Sequence, residues 1–246
     1  MQVVTIAVIK GGTGKTSTAA ALAQAAAADG RKALCIDLDP QSNLSIIIGA
    51  DPNAPGSYDL LHGAAPAQLI QQTAQGVDAI TASPNLATER TTPGSALRLR
   101  DAIEPIRDTY DLIVIDTPPT IGELTFNALQ ASTGLIIPLE ADGNSLQGLY
   151  QITDIAHQMQ NRNPALTIYG VVLTRYDKRP SLKRYLHDTI AATGAEIGAP
   201  LLTEIRPGIA LQEAQARRLS IFDYAPRSNP AIDYKRLYET LKSERS

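Results

Sequence analysis

Three glycines, two lysines and three hydroxyls fall within eight residues near the start of the chain, Lys10-Gly11-Gly12-Thr13-Gly14-Lys15-Thr16-Ser17. Glycines at this density let a backbone curl until several N–H groups point at one centre, and the lysines add positive charge there. That combination suits a polyphosphate. The apolar run 3–9 precedes the turn and an Ala-rich stretch, 16–28, follows it, so strand, turn and helix fall in the order that aims a helix N-terminus at bound phosphate. Against the P-loop pattern G-x-x-x-x-G-K-[ST], Gly14-Lys15-Thr16 fill the last three positions. Ile9 then stands where the first glycine belongs, with Lys10 beside it. Lys15 is assigned to the β- and γ-phosphates, Thr16 to Mg²⁺, and Gly11, Gly12, Thr13, Gly14 and Ser17 to the cradle.

Three carboxylates complete the set. Asp37 and Asp39 follow the apolar stretch 33–36, and Asp116 closes Leu112-Ile113-Val114-Ile115. Acids at the carboxyl ends of parallel strands face the ligand crevice of an open sheet. An i, i+2 pair shares one side if the strand persists. Asp116 is expected to hold Mg²⁺ through water in the manner of a Walker B acid, and Asp37 to support the metal shell.

The positioning elements follow from hydrophobic periodicity. Strands are expected at 3–9, 33–36, 112–115, 134–139 and 166–174. Helices are expected at 16–28, 58–61, 66–75, 97–110, 123–131, 145–161, 181–193 and 231–243, with loops at 49–57 and 83–95. Such alternation predicts an α/β fold, a mostly parallel sheet flanked by helices with right-handed crossovers. No repeat or linker divides residues 1–246, which are taken as a single domain. With 246 residues and 43% hydrophobic content, one core of this kind can be filled.

Composition excludes several chemistries. Cys35 is the single cysteine, which rules out an intramolecular disulfide or a multi-cysteine cluster within one chain. His62, His157 and His187 sit in no triad-like context. No apolar run approaches the roughly 20 residues that cross a bilayer, and no signal peptide is evident. A soluble cytoplasmic protein is expected. The net charge of −3 argues against a general nucleic-acid binder, yet residues 162–246 carry 14 Lys and Arg against 9 Asp and Glu. The last third can therefore present a basic face.

The box K-G-G-x-G-K-[ST]-[ST] resembles the deviant Walker A motif of the ParA/MinD group of ATPases. Cys35-Ile36-Asp37-Leu38-Asp39-Pro40-Gln41-Ser42-Asn43 is similar to that family's D-x-D-P-Q-x-N box. Further ParA-like segments are Ser57–Leu61, Asp116–Pro119 with Leu124–Leu129, Leu173–Asp177, and Ile205–Gly208 with Leu211–Ala214. The resemblance implies a deviant P-loop ATPase using ATP and Mg²⁺, with Lys10, Lys15 and Asp39 catalytic. Asp39 would orient the attacking water. Lys10 would cross a homodimer interface to the phosphates held by the other subunit. A lysine about 4 Å from a phosphate charge gains around 4 kcal/mol at an effective dielectric near 20, before desolvation. ATP would then favour the dimer and hydrolysis release it. Pro207 is implied near the adenine. Asn is common in the family where Gly208 stands, so no side-chain contact is expected there.

Nothing precedes the first strand, so the short form, without an N-terminal DNA-reading extension, is expected. Short ParA proteins bind double-stranded DNA without sequence preference in the ATP state and work with a ParB-like centromere-binding partner. Lys178, Arg179, Lys183, Arg184, Arg206, Arg217 and Arg218 are the candidate DNA contacts, each of them otherwise an ordinary solvated charge. A MinD-like membrane-cycling or protein-positioning ATPase is the alternative. The tail 232–241 has helical spacing but no basic-aromatic run, which favours a docking helix over a lipid-entering one. A metabolic P-loop ligase or synthetase would need a second substrate motif, and none is found. No obvious arginine finger in cis is evident, so slow basal turnover is expected.

Overall fold

The computed structural model describes residues 2–92 and 94–243. Eight strands form one sheet: β1 (Gln2–Ile6), β2 (Ala33–Asp37), β3 (Gln71–Gln72), β4 (Asp78–Ile80), β5 (Leu112–Asp116), β6 (Gly134–Leu139), β7 (Thr167–Leu173) and β8 (Leu201–Glu204). Their spatial order is β3-β4-β2-β5-β1-β6-β7-β8. Every pairing is parallel except the short antiparallel edge β3–β4.

The sheet is buried on both faces, as a parallel sheet must be. The helices are α1 (Lys15–Ala28), α2 (Asn43–Ile47), α3 (Ser57–Leu61), α4 (Pro66–Leu69), α5 (Arg98–Ile103), α6 (Glu123–Ala131), α7 (Ser145–Gln160), α8 (Ser181–Glu196), α9 (Ile209–Ala216), α10 (Ile221–Tyr224) and α11 (Asn229–Ser243). Val4, Ile6, Cys35 and Val114 turn to the face covered by α1 and α11. Val3, Leu34, Ile36 and Ile113 turn to the face covered by α3, α5 and α6. Leu135, Ile137 and Leu173 meet α7 and α8 on that same side. The alanines of α1 explain its central place: small side chains let it lie close to the sheet, with α11 beside it against β8.

Several elements differ from the periodicity reading. β1 ends at Ile6, and residues 7–9 already turn toward the glycine segment. The helix expected at 66–75 stops at Leu69, and Gln71–Gln72 joins the sheet edge. Pro105 interrupts the helix expected at 97–110, which continues from Glu104 as 3₁₀ turns because proline lacks the N–H that an α-helix needs. β4, β8, α2, α9 and α10 were not expected. They are short, from three residues in β4 to eight in α9, too few to carry a clear period.

Candidate active site

β1, β2, β5, β7 and β8 all deliver their carboxyl ends to one edge of the sheet. A cleft of about 760 Å³ opens there, between the 10–17 turn and residues 205–215. Gly12 (φ 75°) and Gly14 (φ 88°) adopt the left-handed conformation that closes the turn. A Cβ on Gly14 would stand 3.2 Å from Thr174 Cγ2, so that glycine also admits β7 to the loop. Thr174 Oγ1 donates to Thr13 O at 2.7 Å and ties the two together. α1 begins at Lys15, and its first N–H groups lack helical partners and face the cleft side of the turn.

Lys15 is 6% exposed, and its Nζ donates to Lys10 O at 2.8 Å. Burial pulls the ammonium pKa down, while Asp116 and Asp39 oppose that shift. The carboxylates are as enclosed: Asp37 and Asp116 are fully buried and Asp39 is nearly so. Asp37 and Asp116 are directly paired in the β2–β5 register.

Burial raises Asp37 to about 6, against hydrogen bonds from the Ser45 amide and hydroxyl and the Asp39 amide. Ser45 N donates to Asp37 Oδ2 at 2.9 Å and Ser45 Oγ at 2.7 Å, while Asp39 N donates to Oδ1 at 3.0 Å. Both oxygens of Asp37 thus anchor the loop that carries Asp39. Burial, then the neighbouring Asp37, pushes Asp116 well above the usual carboxylate range, with the Thr16 hydroxyl and Lys15 opposing. Its Oδ1 accepts from Thr117 N at 3.1 Å, while Oδ2 has no hydrogen-bond partner among the described residues.

An orphaned, fully buried carboxylate oxygen beside Thr16 suits a cation that is absent from the chain itself. No group of three or more His, Cys, Asp or Glu among the described residues could cage a metal unaided. Mg²⁺ takes one or two protein ligands and completes its shell with phosphate oxygens and water. Open space over Gly11 and Gly12, where a Cβ would meet nothing within 4 Å, fits a phosphate chain.

Of the residues singled out in the sequence, Gly11, Gly12, Gly14, Lys15, Thr16, Ser17, Asp39 and Pro207 line the cleft. Thr13 is buried beneath it. Lys10 lies on the rim, its Nζ paired within the same chain with Asp142. The basic candidates are all on the surface, with Lys183 half-buried. Lys178, Arg179, Lys183 and Arg184 cluster where α8 begins, and Arg217 and Arg218 lie at the end of α9. Arg206 is clamped by the buried Asp233, Nη2 to Oδ1 at 2.7 Å and Nε to Oδ2 at 2.9 Å, and Arg179 by Asp177.

Sequence reasoning missed four contributors. Ser45 holds Asp37, Gln215 Nε2 donates to Ser17 Oγ at 2.9 Å, Asp233 holds Arg206, and Arg175 donates to Gly12 O and pairs with Glu140. Only Arg175 carried a signal, as the cation immediately after the strand that abuts the glycine turn.

A family model described as an AAA domain matches residues 1–168. The chromosome partitioning protein ParA of Caulobacter vibrioides is 38% identical over 203 residues, covering 78% of this chain and 76% of that protein. The chain belongs to the ParA family. Within that family, the chromosome-partitioning ATPase Soj of Thermus thermophilus is 32% identical over 235 residues, 94% of this chain and 92% of its own. Among solved structures, cobyrinic acid a,c-diamide synthase from Mycobacterium smegmatis, with bound ATP analog and magnesium, superposes with a TM-score of 0.85. It shares 28% identity, and the match covers 100% of this chain and 96% of that one. The fold of this chain, an eight-stranded and mostly parallel α/β sheet, is therefore shared with that synthetase as well.

Proposed function

We propose that this ParA-family chain binds ATP with magnesium at the 10–17 turn, dimerises in that state, and hydrolyses ATP slowly to release the dimer. The observation that carries this is the convergence of a buried Lys15 and the buried acids Asp39 and Asp116 beneath an open glycine turn at the carboxyl edge of the sheet. Lys15 would neutralise β- and γ-phosphate charge, and the turn's N–H groups would hold the oxygens. Thr16 and Asp116 would hold Mg²⁺, with Asp37 fixing the loop between them. An ion held there would offset the charge that develops on the phosphate in transfer. Asp39 would orient water for in-line attack, a positioning task that needs no unusual basicity. Pro207 would lie against the base, and Lys10 would leave Asp142 for a phosphate in the second subunit.

In the ATP state the dimer would adhere to double-stranded DNA without sequence preference through Lys178, Arg179, Lys183, Arg184, Arg217 and Arg218, with Arg206 held by Asp233 instead. A ParB-like partner would accelerate hydrolysis, as suits partition of a plasmid or chromosome. The partition relatives support this over the synthetase: they are 38% and 32% identical across most of the chain, against 28%. The membrane-cycling alternative is disfavoured by α11. Its apolar residues Tyr234, Leu237, Tyr238 and Leu241 are buried against α1, so that face is already spent on the core. No helix among the described residues is long and apolar enough to cross a membrane.

The test is steady-state ATP turnover with and without DNA and the partner, alongside DNA retention and liposome flotation in ATP. Slow basal turnover and ATP-dependent, salt-sensitive DNA retention are expected. Fast turnover by the chain alone, or flotation with liposomes, would contradict the assignment.

A further inference from the structure

Arg175 follows β7 directly and is one of three non-glycine residues among those described with a positive φ, at 50°. A left-handed arginine costs roughly 1–2 kcal/mol and persists only where its neighbours over-determine it. They do so here. Thr174 N donates to Leu139 O at 2.7 Å and Thr174 Oγ1 to Thr13 O at 2.7 Å, while Tyr176 N donates to Ile205 O at 2.9 Å. The strand thus ends pinned on both sides of one residue, and the kink turns the Arg175 side chain back over the glycine turn. There its Nη2 donates to Gly12 O and pairs with Glu140 on the β6–α7 loop.

Two features distinguish this from a simple brace. Arg175 lines the same cleft as Lys15, Thr16 and Asp39, with its side chain 52% exposed. Only Nη2 is used: among the described residues nothing accepts from Nε or Nη1, so most of the guanidinium fork remains available. An arginine offers planar, paired donors matched to phosphate oxygens. It rests on a carbonyl of the phosphate-wrapping turn, inside the cleft.

We propose that Arg175 is a phosphate-sensing cation acting within its own subunit, parked on Glu140 in the nucleotide-free chain and transferred to the terminal phosphate when ATP fills the cleft. The inference rests on the nucleotide assignment above and adds to it a cation in cis. Glu140 is then a competitor for the guanidinium, which gives its removal a sign opposite to that of a structural strut.

The experiment is calorimetric titration of the full chain with Mg²⁺ and either a non-hydrolysable ATP analogue or ADP, for wild type, Arg175→Ala, Arg175→Lys and Glu140→Gln. Arg175→Ala is expected to weaken the triphosphate about tenfold or more while changing ADP less than threefold. Arg175→Lys should recover part of the loss, and Glu140→Gln should tighten the triphosphate severalfold. Equal losses for both nucleotides, or no loss, would make Arg175 a brace of the turn and overturn the proposal. So would weaker triphosphate binding by Glu140→Gln. Should wild type bind neither nucleotide, the site assignment falls first and this inference with it. Circular dichroism of each variant separates these outcomes from misfolding.

Discussion

Replacing Asp116 with Asn should make the chain more stable and its site inert. Asp116 is fully buried, directly paired in the sheet with Asp37, and Oδ2 has no hydrogen-bond partner among the described residues. Neighbouring strands lie about 4.8 Å apart, so two ionised carboxylates there repel by ~3 kcal/mol at an effective dielectric near 20. The Thr16 hydroxyl and Lys15 each offset less than Asp37 imposes, and the desolvation of the buried charge is larger still. Asn keeps an oxygen to accept from Thr117 N while removing the charge. A net gain of about 2 kcal/mol follows, which for a chain of this length is a rise of roughly 4–8 °C in Tm. The assay is thermal unfolding of the nucleotide-free protein at pH 7.5, followed by the same scan with Mg²⁺ and ATP. Wild type should gain stability with Mg²⁺–ATP, whereas Asp116→Asn should start higher and gain little. A variant that melts below wild type without ligand, or that retains full stabilisation by Mg²⁺–ATP, would refute the view that this carboxylate is kept strained for a cation.

Other perturbations have defined signs. Gly14→Ala forces a Cβ at φ 88° to within 3.2 Å of Thr174 Cγ2 and should lower stability by about 2 kcal/mol, read as a fall of several degrees in Tm. At His187, burial pulls the pKa down, but hydrogen bonds to Asp188 and Glu204 outweigh it, and the net shift is upward. That stabilisation is fully present below about pH 6.5 and fades as pH rises through the higher folded value. His187→Gln should therefore cost more Tm at pH 6 than at pH 8.5, and an equal loss at both would remove the link. The double variant Arg179→Ala with Arg184→Ala should reduce retention of ATP-loaded protein on duplex DNA at low salt, checked by filter binding. Undiminished retention would exclude that part of α8.

Much of this site is legible in the sequence because its geometry follows from chain order. A strand running into Gly-rich turn and helix fixes Lys15 and Thr16, and the acids at 37, 39 and 116 reach the same edge because β2 and β5 lie side by side. What escaped was the wiring between distant segments. Ser45 on Asp37, Gln215 on Ser17 and Arg175 on Gly12 join residues 8, 198 and 163 positions apart, and no local periodicity encodes such pairs. The basic tract shows the reverse limit. Composition marked Arg206 as a candidate DNA contact, but only the fold reveals that buried Asp233, on α11, already engages its guanidinium.

Sedimentation of Asp39→Ala with ATP, with ADP, and with Lys10→Ala added tests most directly whether one subunit reads the nucleotide of another. A dimer is expected with ATP alone, with monomers under ADP and monomers again when Lys10 is removed. A dimer that forms equally with ADP, or that survives the loss of Lys10, would contradict sensing of the terminal phosphate across the interface.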